Sequence, residues 1–330
     1  MMIPLLLLAG ALQNTGGLTP GPDDVYLRVV DAGPALCTVT SIPGGHYLVY
    51  DTGHWTGTNC ITAVRDIVAG SEIDLLIISH PDGDHVGEAR EIIDEYFVHR
   101  MIRTGHRGTS GAWDEMNEAT GRAATRGTTI INLQTSELVP GEQLRLGDAT
   151  LTLIAGWGDW TRTSLSAAER RNVISIVARL DYHGASVLYA GDTIGRRLTD
   201  PDSACKDAEA VMVANAAVTL ASDVLIAPHH GGNNASSTCF IQAVDPRFVI
   251  FSAGHRFHHP TGATAARYLA HGVPADHIYR TDLGDDEGGA EWDAGRVAGC
   301  RDGRGDDGVD VLLHPDGSVA IAYRGDATGC

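Results

Sequence analysis

Apolar positions along this chain fall into short runs of strand length, punctuated by glycine, proline and aspartate. "VYLRVVDAG", "ALCTVTSI" and "HYLVYDTG" predict three strands joined by tight turns. "CITAVRDIVAG" has helical spacing and leads into "IDLLIIS", an apolar, β-branched run that reads as a buried strand. Residues 88–99 again space their apolar positions as a helix, whereas 103–128 is polar and Gly/Thr-rich and reads as a long loop or a short helix with flexible flanks. Strands resume at "TIINLQ", "ATLTLIAG", "NVISIVARLDY" and "ASVLYAGD", and 202–222 reads as helical. "DVLIAPHHGG", "RFVIFSAG" and "HIYRTDLG" follow, then a closing hairpin around Pro315-Asp316-Gly317. Strands in two groups with helices between them predict an α/β (α+β) fold, a sheet-on-sheet core with outer helices. The first 20 residues stand apart from a single domain over 21–330, which carries an irregular Gly/Asp-rich insertion near 284–308.

The polar residues at the ends of these apolar runs carry the candidate chemistry. "SHPDGDHVG" gathers His80, Asp82, Asp84 and His85 on a strand-to-helix turn. Neutral imidazoles and carboxylates both ligate divalent metals, and the spacing pairs His80 with Asp82 on one ion and Asp84 with His85 on a second. "VLYAGDT" ends at Asp192, a carboxylate placed to bridge two ions, and "VLIAPHHGG" ends at His229 and His230. Three strand-end clusters in sequence order point to a metal site assembled where loops meet at one edge of the core.

The charge and the cysteines narrow the setting. Of 330 residues, 24 are basic and 42 acidic, a net −18 that disfavours nonspecific nucleic-acid binding. After the N-terminus no run is long and apolar enough to span a bilayer, so stable membrane insertion is not expected. "MMIPLLLLAGALQNTGG" reads as a secretory signal with Ala9-Gly10-Ala11 as a small-residue cleavage site, although no Lys or Arg precedes Arg28. The six cysteines form no C-x-x-C pair and fit three disulfides in an oxidising compartment; joining sequence neighbours (37–60, 205–239, 300–330) is the simplest connectivity. A secreted or periplasmic location follows from both features.

In order and spacing these motifs resemble the metallo-β-lactamase fold, and within it the hydrolase domain of the ComEC type found in bacterial DNA-uptake proteins and its stand-alone relatives. The likeness runs from about residue 25 to 285 and includes "VVDAG…DTG", "SHPDGDHVG", "RNVISIVARLDYHGASVLYAGDT", "DVLIAPHHGGNNASS", "FSAGHRFHHP" and "YRTDLG". The resemblance implies a four-layer αββα sandwich with a dinuclear site at one edge. His80, Asp82, Asp84 and His85 match its metal loop and Asp192 its bridging carboxylate. The His229-His230 pair matches the last metal-binding strand end, with the choice of ligand open and the other imidazole placed for substrate. His259 and Asp282 match positions near the site edge, as substrate contacts or supporting groups. His106 is a candidate lid residue, or with His183 a candidate middle histidine.

Asp82 departs from the H-x-H-x-D-H form of many lactamase-fold enzymes. Three carboxylates (Asp82, Asp84, Asp192), two divalent ions and one bridging hydroxide sum to zero charge, and carboxylate-rich ligation shifts preference toward Mn²⁺ while Zn²⁺ stays open. With Asp84, His229 and His230 as the catalytic set, this predicts an exported metal-dependent hydrolase of a small-molecule phosphoester, phosphodiester or related ester. The alternatives are a nuclease acting on single-stranded DNA, as the resemblance suggests, and a non-catalytic, metal-stabilised binding protein.

Overall fold

The structure, a computed structural model, describes residues 17–324 except 159, 161–163 and 202. The expected signal segment therefore lies almost wholly outside the described residues. The first half of the chain runs β1 (Val25–Val29), β2 (Cys37–Ile42), β3 (His46–Thr52), α1 (Asn59–Ile67), β4 (Glu72–Ile78), α2 (Gly83–Val86), α3 (Ala89–Glu95), β5 (Phe97–Arg103), α4 (Gly111–Thr125) and β6 (Thr129–Asn132). The second half runs β7 (Gln143–Leu146), β8 (Ala149–Ala155), α5 (Ala167–Asn172), β9 (Val177–Tyr182), β10 (Ala185–Tyr189), α6 (Asp207–Ala214), β11 (Val224–Ile226), α7 (Thr238–Val244), β12 (Phe248–Phe251), α8 (Gly262–His271), β13 (Ile278–Arg280), β14 (Val309–Leu313) and β15 (Val319–Tyr323).

An eight-stranded sheet in the order β15-β14-β1-β2-β3-β4-β5-β6 faces a seven-stranded sheet in the order β13-β12-β11-β10-β9-β8-β7. Strands buried on both faces explain the continuous apolar runs. In β4, Leu75 and Ile77 join the core between the sheets, while Leu76 and Ile78 pack outward with Ile61 and Val64 of α1, Ile92 and Ile93 of α3 and Met116 of α4. In β10, Val187 and Tyr189 face the central core, and Leu188 packs outward with Met212 of α6, Phe240 and Ile241 of α7 and Tyr268 of α8. The layers are helix, sheet, sheet, helix. Stacked Tyr50 and Tyr189, 5.0 Å between ring centroids, link the two sheets beneath the site.

Several boundaries differ from the sequence reading. The helix expected over 88–99 stops at Glu95, because "FVHRMIR" enters the sheet as β5 beside β4. The polar stretch expected as a loop or short helix over 103–128 holds α4, fifteen residues long and capped by Ser110. Its buried stripe (Met116, Ala119, Thr120, Ala123) is made of small and flexible residues, so sheet packing stabilises a helix that its Gly/Thr content hides. The helix expected over 202–222 is confined to α6. Beyond β13 the chain is irregular from Thr281 to β14, and the closing hairpin pairs Val309–Leu313 with Val319–Tyr323 as expected.

Disulfides join Cys37 to Cys60 and Cys205 to Cys239, two of the three expected neighbour pairs. The third expected pair includes Cys330, which lies outside the described residues. Among the described residues no helix is long and apolar enough to cross a membrane.

Candidate metal centre

The parallel strands β3, β4, β10, β11 and β12 all deliver polar residues at their C-terminal ends, and these ends meet at one edge of the sandwich. Asp51 lies near the end of β3, His80 follows β4, Asp192 follows β10, His229 and His230 follow β11, and Ser252 follows β12. The His80–His85 turn is tied to β3: the Thr52 hydroxyl donates to the His85 carbonyl (2.9 Å) and the Gly87 amide to the Gly53 carbonyl (3.0 Å). Gly87 is required by this closeness, because a Cβ there would lie 2.3 Å from the backbone of His54 and Trp55. His229 and His230 both adopt left-handed backbone angles (φ 51° and 54°), which swing the pair out of the β11 direction.

His80, His85 and Asp192 offer ligand atoms within 4.8 Å of one another, and so do Asp84, His85 and His230. Asp192 sits between: Oδ1 is 3.2 Å from His85 Nε2 and 3.5 Å from His230 Nε2, and Oδ2 is 3.8 Å from His80 Nε2. His230 Nε2 lies 3.9 Å from Asp84 Oδ2. His80, His85, Asp192 and His230 are buried.

Tautomers follow from the outer partners. The Ser252 carbonyl can only accept, so His230 Nδ1–H donates to it (2.7 Å). The Asp51 carboxylate takes the His85 Nδ1–H (2.8 Å), and also the Ser79 amide (2.7 Å) and hydroxyl (2.6 Å). In the neutral rings this leaves lone pairs on both Nε2 atoms, only 3.3 Å apart and facing the Asp192 carboxylate. His80 Nε2 and Asp192 Oδ1 are buried without a hydrogen-bond partner. Converging lone pairs and an unsatisfied carboxylate oxygen call for a cation. The electrostatics agree. Burial opposes charge on His85 and His230, but Asp192 beside both raises their pKa values, with Asp51 adding to His85. Burial would raise Asp192, yet His85, His230 and His229 hold it well below the usual carboxylate range. Burial keeps His80 neutral, its pKa pulled well down. The residues present therefore fit a divalent-metal centre.

The predicted residues divide. His80, Asp84, His85, Asp192 and His230 converge. His229 lies at the rim with Nε2 3.8 Å from Asp192, but Asn172 donates to that nitrogen (3.0 Å) and Nδ1 meets Asn234 (2.6 Å), so both ring nitrogens are taken. Asp82 belongs to neither cluster: the turn aims its carboxylate at Arg171, in the basic last turn of α5, with which it forms an ion pair. His259 lies against the pair, 5.8 Å from His229 and 6.4 Å from His230 between ring centroids, and burial, then its neighbouring imidazoles, push its pKa down to about 3. Asp282 belongs to neither cluster and does not line the cleft over Asp84; it is fully buried and paired with Arg280 (2.6 and 2.9 Å), which also holds Glu291. His106 contacts Gln134 and lies outside both clusters. Asp51, Asn172 and Ser252 were not singled out from the sequence; only Asp51, in a strand-ending "DTG", carried a signal, and it reads equally as a turn.

Over the Asp84 side opens a cleft of about 220 Å³ lined by His54, Trp55, Asp82, Asp84, Ser110, Arg171, Arg256 and Phe257. Trp55 and Phe257 are each about half exposed, and the Arg256 guanidinium lies 4.6 Å from the Phe257 ring centre.

Residues 30–255 match the profile described as the metallo-beta-lactamase superfamily, and the chain belongs to that superfamily. It is 26% identical over 282 residues to Competence protein ComA of Neisseria gonorrhoeae, covering 84% of this chain and 34% of that protein. It is 25% identical over 213 residues to ComE operon protein 3 of Bacillus subtilis (strain 168), covering 64% of this chain and 24% of that protein. The chain thus spans a minor part of the length of both relatives. Among solved structures, the metallo-beta-lactamase fold protein YhfI from Bacillus subtilis aligns over 78% of this chain and 96% of that chain at 10% identity, with a TM-score of 0.47.

Proposed function

We propose that this chain is an exported, metal-dependent hydrolase of phosphodiesters. The observation that carries it is the pair of buried Nε2 lone pairs facing Asp192, with their Nδ1 atoms fixed by Asp51 and Ser252. Asp84, His85, His230 and Asp192 Oδ1 supply four ligand groups for one ion, and His80 with Asp192 Oδ2 supplies part of a second position. When bound, divalent ions such as Zn²⁺ or Mn²⁺ supply Lewis acidity and lower the pKa of coordinated water to about 7.

The protein's own groups do the rest. Asp51 and Ser252 lock the imidazole tautomers, which sustains affinity. Asp84, partly exposed at the cleft, is placed to orient the attacking water beside the ion it helps to hold. Arg256 at the cleft wall meets an anionic substrate. His259, neutral at working pH, offers an N–H without adding charge. Exposed Trp55 and Phe257 flank the cleft, which favours a phosphodiester whose flat groups stack on the aromatics. The same feature supports single-stranded DNA as one such substrate, against the opposing net charge of −18.

The two disulfides favour an oxidising compartment. The test is turnover of bis-p-nitrophenyl phosphate, a single-stranded oligonucleotide and nitrocefin by Mn²⁺- and Zn²⁺-loaded protein. Hydrolysis of either phosphodiester supports the reading. Turnover of nitrocefin alone overturns the substrate class, and turnover of none favours a metal-stabilised binding protein.

A further inference from the structure

A second group of carboxylates lies in the irregular segment after β13. Between residues 281 and 308 the acidic side chains are Asp282, Asp285, Asp286, Glu287, Glu291, Asp293, Asp302, Asp306 and Asp307, against three arginines. Arg280 neutralises Asp282 and Glu291 from below. The loop "DGRGDD" (302–307) then folds back on the turn after β1, where Asp31, Asp302 and Asp306 bring carboxylate oxygens within 4.8 Å of one another. Among the described residues none of Asp31, Asp302, Asp306 and Asp307 is ion-paired.

An independent observation separates this group from an ordinary acidic surface. Asp307 is fully buried, yet neither of its carboxylate oxygens makes a well-formed hydrogen bond, and it faces Asp302 and Asp306 with the Leu283 backbone nearby. Asp302 Oδ1 is likewise buried and unpartnered. Asp31, by contrast, receives the amides of Gly33 (3.1 Å) and Asp306 (3.1 Å) and also that of Gly305, so the loop backbone is wrapped around one carboxylate while its neighbours are left unsatisfied. An unpaired buried carboxylate is costly, and several together more so. No histidine or cysteine belongs to this group. An all-oxygen donor set selects a hard cation, and the uneven arrangement on an irregular loop suits Ca²⁺, which takes 6–8 oxygens in flexible geometry, better than octahedral Mg²⁺.

The geometry points to a calcium site, separate from the metal centre, in which Asp31, Asp302 and Asp306 hold one Ca²⁺ beside the buried carboxylate of Asp307 and fasten the 302–307 loop to the start of the first sheet. Burial and mutual repulsion agree, raising Asp31 and Asp307 to about 7 and Asp302 to about 10. The site also reaches the cleft. From the same loop Arg304 donates to the Thr56 hydroxyl (2.8 Å), which is 2.8 Å from His54 Nδ1, and His54 lines the cleft. Calcium therefore braces one wall of the cleft without touching the hydrolytic centre, and its binding is independent of whether the hydrolase reading holds.

The test is calorimetry and thermal unfolding of the full chain, stripped of metal, loaded with Zn²⁺ or Mn²⁺, then titrated with CaCl₂. One Ca²⁺ binds per chain with Kd on the order of 10⁻⁴–10⁻³ M, the range of extracellular modules. At 10 mM CaCl₂ the Tm rises by roughly 3–5 °C, and equal MgCl₂ gives a smaller rise. The double variant Asp302→Asn/Asp307→Asn loses the calcium response, and in calcium-free buffer it melts at or above the wild type, because the cost of burying two acids beside Asp31 and Asp306 is gone. A merely structural role would give a lower Tm in both buffers. If the double variant does not fold, Asp306→Asn, on an exposed side chain, weakens calcium binding at least about tenfold. Asp192→Ala keeps the response. An unchanged Tm and no heat with the wild type, an unaltered response in both loop variants, or loss of the response in Asp192→Ala each overturns the proposal.

Discussion

Replacing Asp51 with asparagine perturbs the centre without removing any group that faces it. The carboxylate is fully buried and accepts three hydrogen bonds, from the Ser79 amide (2.7 Å), the Ser79 hydroxyl (2.6 Å) and His85 Nδ1 (2.8 Å). In Asp51→Asn the amide oxygen still serves the Ser79 amide, but the NH₂ group now points at two donors. The serine hydroxyl can rotate to accept. His85 can accept only by moving its proton to Nε2, which removes the lone pair directed at Asp192. Changes to such outer partners cost about 10–100-fold in metal affinity, or about 1.4–2.7 kcal/mol. Competition of the metal-loaded protein against a fluorescent chelator reads this directly, with circular dichroism to confirm folding. A folded Asp51→Asn protein holding metal as tightly as the wild type would refute the tautomer reasoning, and with it the role given to His85.

Further consequences follow from the same geometry. His230→Ala lowers metal affinity by about 100-fold or more, whereas His229→Ala changes it by less than about tenfold, because Asn172 and Asn234 already occupy both His229 nitrogens; equal losses in a chelator titration would contradict the assignment. Gly87→Ala forces a Cβ into the backbone of His54 and Trp55, costing about 3 kcal/mol or more in urea unfolding; an unchanged midpoint would show that the turn gives way. His259, with its pKa lowered from 6.5 to about 3, takes up its proton in the unfolded chain first. Stability is therefore lost as pH falls from 6.5 toward about 3, by up to ~5 kcal/mol (3.5 units at ~1.36 each). His259→Gln flattens that part of the Tm–pH profile, and a variant profile parallel to the wild type would exclude His259 as its source.

Much of the site was legible in the sequence because apolar runs doubly buried in a layered fold stop sharply, and the residues just beyond them are the ones that meet. His80, Asp84, His85, Asp192 and His230 all stand at such stops, so strand-end position alone was enough to group them. What spacing could not reveal is direction. Asp82 lies two residues from both His80 and Asp84, yet the turn aims it at Arg171, more than eighty residues away in sequence. The left-handed backbone at His229 and His230 decides which imidazole turns inward, and nothing in "PHHGG" encodes that apart from its partners Asn172 and Ser252. Asp282 shared the strand-end pattern, but an arginine two residues before it captures the carboxylate in the interior. Helix α4 was hidden because its buried stripe is Met, Ala and Thr, whose helical spacing is weak until a sheet is placed beneath it.

The proposed hydrolase depends on a divalent transition metal held by Asp192 and the imidazoles around it. Its most direct test combines zinc and manganese content by mass spectrometry with the rate on bis-p-nitrophenyl phosphate, measured before and after chelation and again on readdition, for wild type and Asp192→Ala. The expected result is at least one tightly held ion per chain, a rate that disappears with the metal and returns with it, and neither metal nor rate in folded Asp192→Ala. Undiminished turnover by the stripped protein, or full metal content and activity in Asp192→Ala, would contradict it.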